Sequence, residues 1–136
     1  MIVLSYIMVK NNYKRICLIF SLFIISFLLI NYYRPIKAKY EFNDFGLADS
    51  GSGMISIMIV YLAISKKKMS YLESKNLAIA ILLLYIIQEV LSYFFKSIGT
   101  YDFKDIIYYV FGFVIIYYLD IKGRKNESDN NNNNLR

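Results

Sequence analysis

The side chains best equipped for chemistry in this sequence are carboxylates set inside, or hard against, apolar runs. Glu89 lies within the run from Asn76 to Phe95, beside Gln88. A charge at the centre of a membrane helix costs about 2.5–3.5 kcal/mol on insertion scales, so a charge found there has a partner or a task. Glu89 follows Asn76 by thirteen residues, which is ~20 Å of helix at about 1.5 Å per residue. On a helix it shares a face with Tyr85, Ser92, Tyr93 and Lys96. Asp49, Asp102 and Asp105 are expected at a similar depth, close to the outer boundary of the bilayer. Carboxylates gathered in one region raise one another's pKa unless a cation intervenes, and Arg34, Lys96, Lys104 or a bound cation can fill that role. The ligand-binding candidates are therefore Glu89, Asp102, Asp105, Asp49 and Tyr93.

Each candidate also has an architectural reading. Asp102 and Asp105 sit where a helix would begin, and there a carboxylate caps free N–H groups and suits the positive end of the dipole. Asp49, followed by Ser50-Gly51-Ser52-Gly53, can start a helix in the same way. Gln88 and Glu89 can hydrogen-bond a neighbouring helix and fix packing alone. Gly112 is a packing residue, since a small side chain lets helices approach closely.

The composition removes most other chemistry. There is no His and a single Cys, Cys17, which excludes His/Cys zinc sites, His-ligated haem, intrachain disulfides and any catalytic group that needs an imidazole. No metal centre and no cofactor is expected. An enzyme would have to work with carboxylates, with or without a divalent cation held by oxygen ligands.

The elements that must carry these residues are helices in a membrane. The chain has 136 residues and is 57% hydrophobic, and its apolar residues come in blocks with the charges between them, unlike the scattered pattern of a soluble core. Ile16–Tyr33 contains no charge and is long enough to cross. Three further spans are expected near residues 45–65, 76–95 and 105–120. The fold class is thus all-α, a polytopic membrane protein of four transmembrane helices. Residues 1–15 form an amino-terminal cytoplasmic or interfacial segment in which Met1 or Met8 is the start. Residues 16–122 make the membrane domain, and residues 123–136 form an Asn-rich tail with too few apolar residues to build a core, expected to be disordered.

Most of the 16 basic residues fall before the first block, between the second and third, and after the fourth. Positive charge resists translocation, so both termini are expected in the cytoplasm. Tyr32, Tyr33, Tyr61, Tyr71, Tyr93, Tyr117 and Tyr118 fall at block ends, as an aromatic belt requires. The net charge of +6 is dispersed in short juxtamembrane clusters. Lys66, Lys67 and Lys68 are matched to anionic headgroups, and no nucleic-acid partner is expected.

The stretch Gln88-Glu89-Val90-Leu91-Ser92-Tyr93-Phe94, then Gly99-Thr100-Tyr101-Asp102-Phe103-Lys104-Asp105-Ile106-Ile107, then Gly112, resembles the VanZ-like family of small membrane proteins. In that family an acid late in one span, a D-x-x-D loop and a glycine in the next span recur. The resemblance places Glu89 at the acid, Asp102 and Asp105 at the pair and Gly112 at the glycine. Tyr93 stands four residues after Glu89, near where the family carries Gln. It implies an inner-membrane protein of the bacterial cell envelope, in a family linked to glycopeptide tolerance.

Two functions are compatible with these residues. One is binding of a lipid headgroup or envelope component by the outward-facing carboxylates. The other is a small structural subunit or assembly factor, packed on a membrane partner or on a second copy, with no ligand of its own. No span carries the continuous polar stripe a pore requires.

Overall fold

The computed structural model describes residues 12–66, 68–95 and 100–126. It contains four helices long and apolar enough to cross a membrane: α1 (Tyr13–Tyr40), α2 (Leu47–Ile64), α3 (Tyr71–Phe94) and α4 (Phe103–Asn126). No strand occurs among the described residues. The chain is an all-α, four-helix protein consistent with a multi-pass membrane protein. The expected spans are all present, and their ends differ for local reasons.

α1 is already helical at Asn12, ahead of Ile16, and continues past Tyr33 to Tyr40, so the end of the expected amino-terminal segment is helical. Pro35 lacks the N–H that a helix needs. The backbone passes it by widening into a π turn at Leu29–Tyr33, after which Pro35 falls in the first turn of the following α-helical segment. The Asn31 amide donates to the Phe27 carbonyl at 2.9 Å within this stretch. The helix stops at Glu41, whose φ of 50° is left-handed.

α3 starts upstream of Asn76 because Ser70 and Glu73 form a capping box. The Glu73 N–H donates to Ser70 Oγ at 3.2 Å and the Ser70 N–H donates to Glu73 Oε2 at 2.8 Å, which satisfies two of the N–H groups that a helix start leaves open. α4 starts at an Asp102 cap and runs through a second π turn, Tyr117–Ile121, to Asn126. The boundary expected at residue 122 is therefore corrected, because Gly123–Asn126 are helical. Residues 1–11 with both starts, Lys67, Lys96 and the tail from 127 onward lie outside the described residues.

α2 is the centre of the bundle. It packs on α1, α3 and α4, whereas α1 packs on α2 alone among the described helices. Buried positions accordingly occur on several sides of α2, including Ile55, Ile57, Met58, Tyr61 and Leu62, and they meet Ala78 and Ile81 of α3 and Tyr109 and Ile116 of α4. The tightest crossing is between α2 and α4. A Cβ on Gly112 would lie 2.8 Å from the Met54 carbonyl oxygen and 2.8 Å from Ile57 Cγ2. Gly112 lies at this crossing, and Gly53 makes a matching allowance for the Tyr109 ring, which a Cβ there would approach to 2.6 Å.

Candidate functional site

Glu89 and Asp102 do come together. Glu89 is 7% exposed; its Oε1 accepts the Asp102 backbone N–H at 2.8 Å and its Oε2 accepts from the Tyr109 hydroxyl at 3.5 Å. The Ser92 hydroxyl donates to the Glu89 carbonyl at 2.7 Å. Tyr109 also packs edge-on to Tyr85, with centroids 5.1 Å apart, and the Tyr85 and Ser56 hydroxyls are 2.6 Å apart. Glu89 therefore closes the α3–α4 connection from below and links it through two phenols to α2. A carboxylate with both oxygens engaged inside the protein is a brace for this junction, and it does not face outward.

Asp102 has a similar internal role. Its carboxylate accepts the Lys104 N–H at 2.9 Å as the helix cap. Asp105 sits in the first turn of α4, with its N–H bonded to the Asp102 carbonyl at 3.0 Å. Tyr93 is 67% exposed and stacks edge-on with Phe94 and Tyr101, at 5.3 and 5.7 Å between centroids; no hydrogen bond joins it to Glu89.

Asp49 separates from the other acids. It is not the cap of α2, because Asp44 does that work, accepting the N–H groups of Gly46 at 3.1 Å and Ala48 at 2.7 Å. Burial alone would raise the Asp44 pKa, but the N–H groups of Ala48 and Gly46, together with the charge of Lys37, hold it below the usual carboxylate value. The approach to α2 is a tight turn, with φ of 57° at Phe45 and 96° at Gly46, and at Gly46 this is the conformation that glycine adopts without cost. Asp49 is left to pair across the helix interface with Arg34 Nε at 3.1 Å and Lys37 Nζ at 3.1 Å. Of the cations considered for the acids, Arg34 is used, but on Asp49 alone.

The result at this end is an open cleft of about 360 Å³, lined by Arg34, Lys37, Ala38, Glu41, Phe42 and Asp49. It presents two cations and two carboxylates beside an aromatic ring. Mixed charges at one mouth can orient a ligand carrying both signs, and exposed pairs of this kind exchange partners at little cost because each is worth only about 0–1 kcal/mol.

A second polar cluster, at the opposite end of the bundle, was missed by the sequence reading. Asp120, 4% exposed, accepts from the Tyr61 hydroxyl at 2.5 Å and from Arg124 Nε at 2.9 Å, and Arg124, 8% exposed, also donates from Nη1 to the Met69 carbonyl at 2.8 Å. Arg15 of α1 donates from Nε to the Leu62 carbonyl at 2.6 Å and from Nη2 to the Ser65 carbonyl and hydroxyl. Tyr61 is fully buried, so it is no belt residue, and Arg124 is no solvated tail cation. The sequence signal was the i, i+4 spacing of Asp120 and Arg124. The π turn widens the helix at Asp120, and Ile116, Asp120, Ile121 and Arg124 are all buried.

No family model, curated protein or solved structure matches this chain. Among the described residues no group of three or more His, Cys, Asp or Glu is placed to hold a metal ion.

Proposed function

We propose that this chain is a VanZ-like protein of the bacterial inner membrane, with both termini in the cytoplasm, that binds a lipid headgroup or envelope component at its outward-facing end. The observation that carries the reading is the cleft where Arg34 and Lys37 face Asp49 and Glu41 beside Phe42. Its mixed charge suits a zwitterionic group better than a purely cationic one, which a bare carboxylate cluster would have selected. The binding residues are then Asp49, Arg34 and Lys37, and Glu89, Asp102 and Asp105 shape the end of the bundle on which the cleft rests.

The test uses the full chain in mild detergent, titrated with glycerophosphoethanolamine and followed by thermal unfolding. A saturable rise in Tm that is lost in Arg34→Gln and in Asp49→Asn supports the proposal. No rise, or a rise kept in both variants, refutes it. Reporter fusions after Lys68 and after Lys104 check the orientation, and the two must report opposite sides.

A structural role is the second reading, and the lone contact of α1 with α2 favours it. Phe20, Phe23 and Phe27 of α1 are exposed and offer a surface to a partner helix or a second copy. Native mass measurement that finds the chain alone after gentle extraction counts against this reading.

A further inference from the structure

At the end of the bundle opposite the mixed-charge cleft, α1 and α2 flank an open groove of about 520 Å³. Its walls are Ile16 and Ile19 from α1 and Ala63 and Ile64 from α2, and its end carries Arg15 and Lys66. Ile16 and Ile64 are more than half exposed, so the groove opens sideways, toward the position that lipid chains occupy around a membrane protein.

The guanidinium is held there by the architecture. α2 ends at Ile64, and the last carbonyls of a helix have no partner within it. Arg15 supplies one to Leu62 and Ser65 through Nε and Nη2. No described residue bonds its Nη1. No carboxylate lines the groove, and the acid nearest in the network, Asp120, already takes the Arg124 guanidinium at 2.9 Å. Asp120 acts on Arg15, and Glu73 on Lys66, from outside the groove, so among the described residues the groove itself is lined by two cations and no carboxylate, in contrast to the balanced cleft at the other end.

We infer that this groove is a binding site for one anionic phospholipid of the bilayer, its phosphate between Arg15 and Lys66 and an acyl chain along Ile16, Ile19, Ala63 and Ile64. Charge complementarity selects the occupant. Arg15 Nη1 and the Lys66 ammonium can give charge-assisted hydrogen bonds to phosphate oxygens, and a purely apolar partner helix would leave both cations desolvated and without such an acceptor. The site is independent of the outer cleft, because it shares no residue with it.

Native mass spectrometry of the full chain, released from detergent with equal phosphatidylglycerol and phosphatidylcholine, tests the inference. One retained phosphatidylglycerol per chain is expected, at least tenfold preferred over phosphatidylcholine. Arg15 also supports the end of α2, so the decisive variants are Lys66→Glu, which reverses the mouth charge, and Ile64→Trp, which fills the slot from an exposed position. Each should lower phosphatidylglycerol retention about tenfold while Lys75→Gln, a charge change outside the groove, leaves it intact. Equal retention of the two lipids overturns the inference, as does wild-type retention by both Lys66→Glu and Ile64→Trp.

Discussion

Replacing Arg124 by Leu should destabilise the bundle far more than replacing Arg124 and Asp120 together. In the native protein Asp120 Oδ2 takes both the Arg124 Nε–H at 2.9 Å and the Tyr61 hydroxyl at 2.5 Å, and both members of the ion pair are buried. Without Arg124 a carboxylate is left in the core with one neutral donor, and the Met69 carbonyl loses its bond from Nη1. Stranding one member of a buried pair costs about 3–5 kcal/mol, whereas replacing both members with apolar groups is often neutral or stabilising. Arg124→Leu is therefore expected to cost about 3–5 kcal/mol and the Asp120→Leu/Arg124→Leu pair markedly less, although the double variant leaves the Tyr61 hydroxyl unbonded at about 1–3 kcal/mol. Tyr61→Phe alone should cost about 1.5–3 kcal/mol, because it removes a hydrogen bond to a charged acceptor. Reversible unfolding by dodecyl sulfate in mixed micelles, followed by far-ultraviolet circular dichroism, measures all three on the full chain. A loss under about 1 kcal/mol for Arg124→Leu, or a double variant as damaged as the single one, would refute the argument that this pair is a buried charge couple.

Three other outcomes follow from the same contacts. Gly112→Ala should destabilise by about 1–3 kcal/mol through overpacking, since its Cβ meets the Met54 carbonyl oxygen at 2.8 Å, and Gly112→Val should fold worse still in the same assay. Glu89→Ala should lose about 1–3 kcal/mol by leaving the Asp102 N–H unbonded, while Glu89→Gln, which keeps an acceptor for it, should lose less; equal losses would show that the charge is what matters. Asp44 is held below its ordinary pKa in the fold, so its stabilisation is present above about pH 4 and fades as the pH falls through the folded value. Wild type and Asp44→Asn should therefore differ in Tm at pH 7 and converge at low pH, and a constant gap would dismiss the linkage.

Span number and composition were legible because a bilayer imposes a one-dimensional rule: a long apolar run without charge has few alternatives to a crossing helix. The adjacency of Glu89 and the Asp102 loop was also readable, since only a short connection separates their helices. The role of Asp49 was not. Its partners Arg34 and Lys37 belong to α1, and which acid meets which cation depends on how α1 is set against α2.

Tyr61, Asp120 and Arg124 show the same division more sharply. By position they are the edge of a block, its terminal acid and a tail cation, all of which hydropathy assigns to the interface. The structure draws them inward because α4 continues as a helix to Asn126 through a π turn, bringing Asp120 to Tyr61 on α2 and Arg124 to the Met69 carbonyl ahead of α3. Sequence by itself determined that there are four apolar helices and that any chemistry must rest on carboxylates, cations and phenols, because those limits follow from which residues are present. Only the tertiary structure decided which charges are braces and which are open to a ligand, because pairing inside a bundle is set by distance between helices and not by distance along the chain.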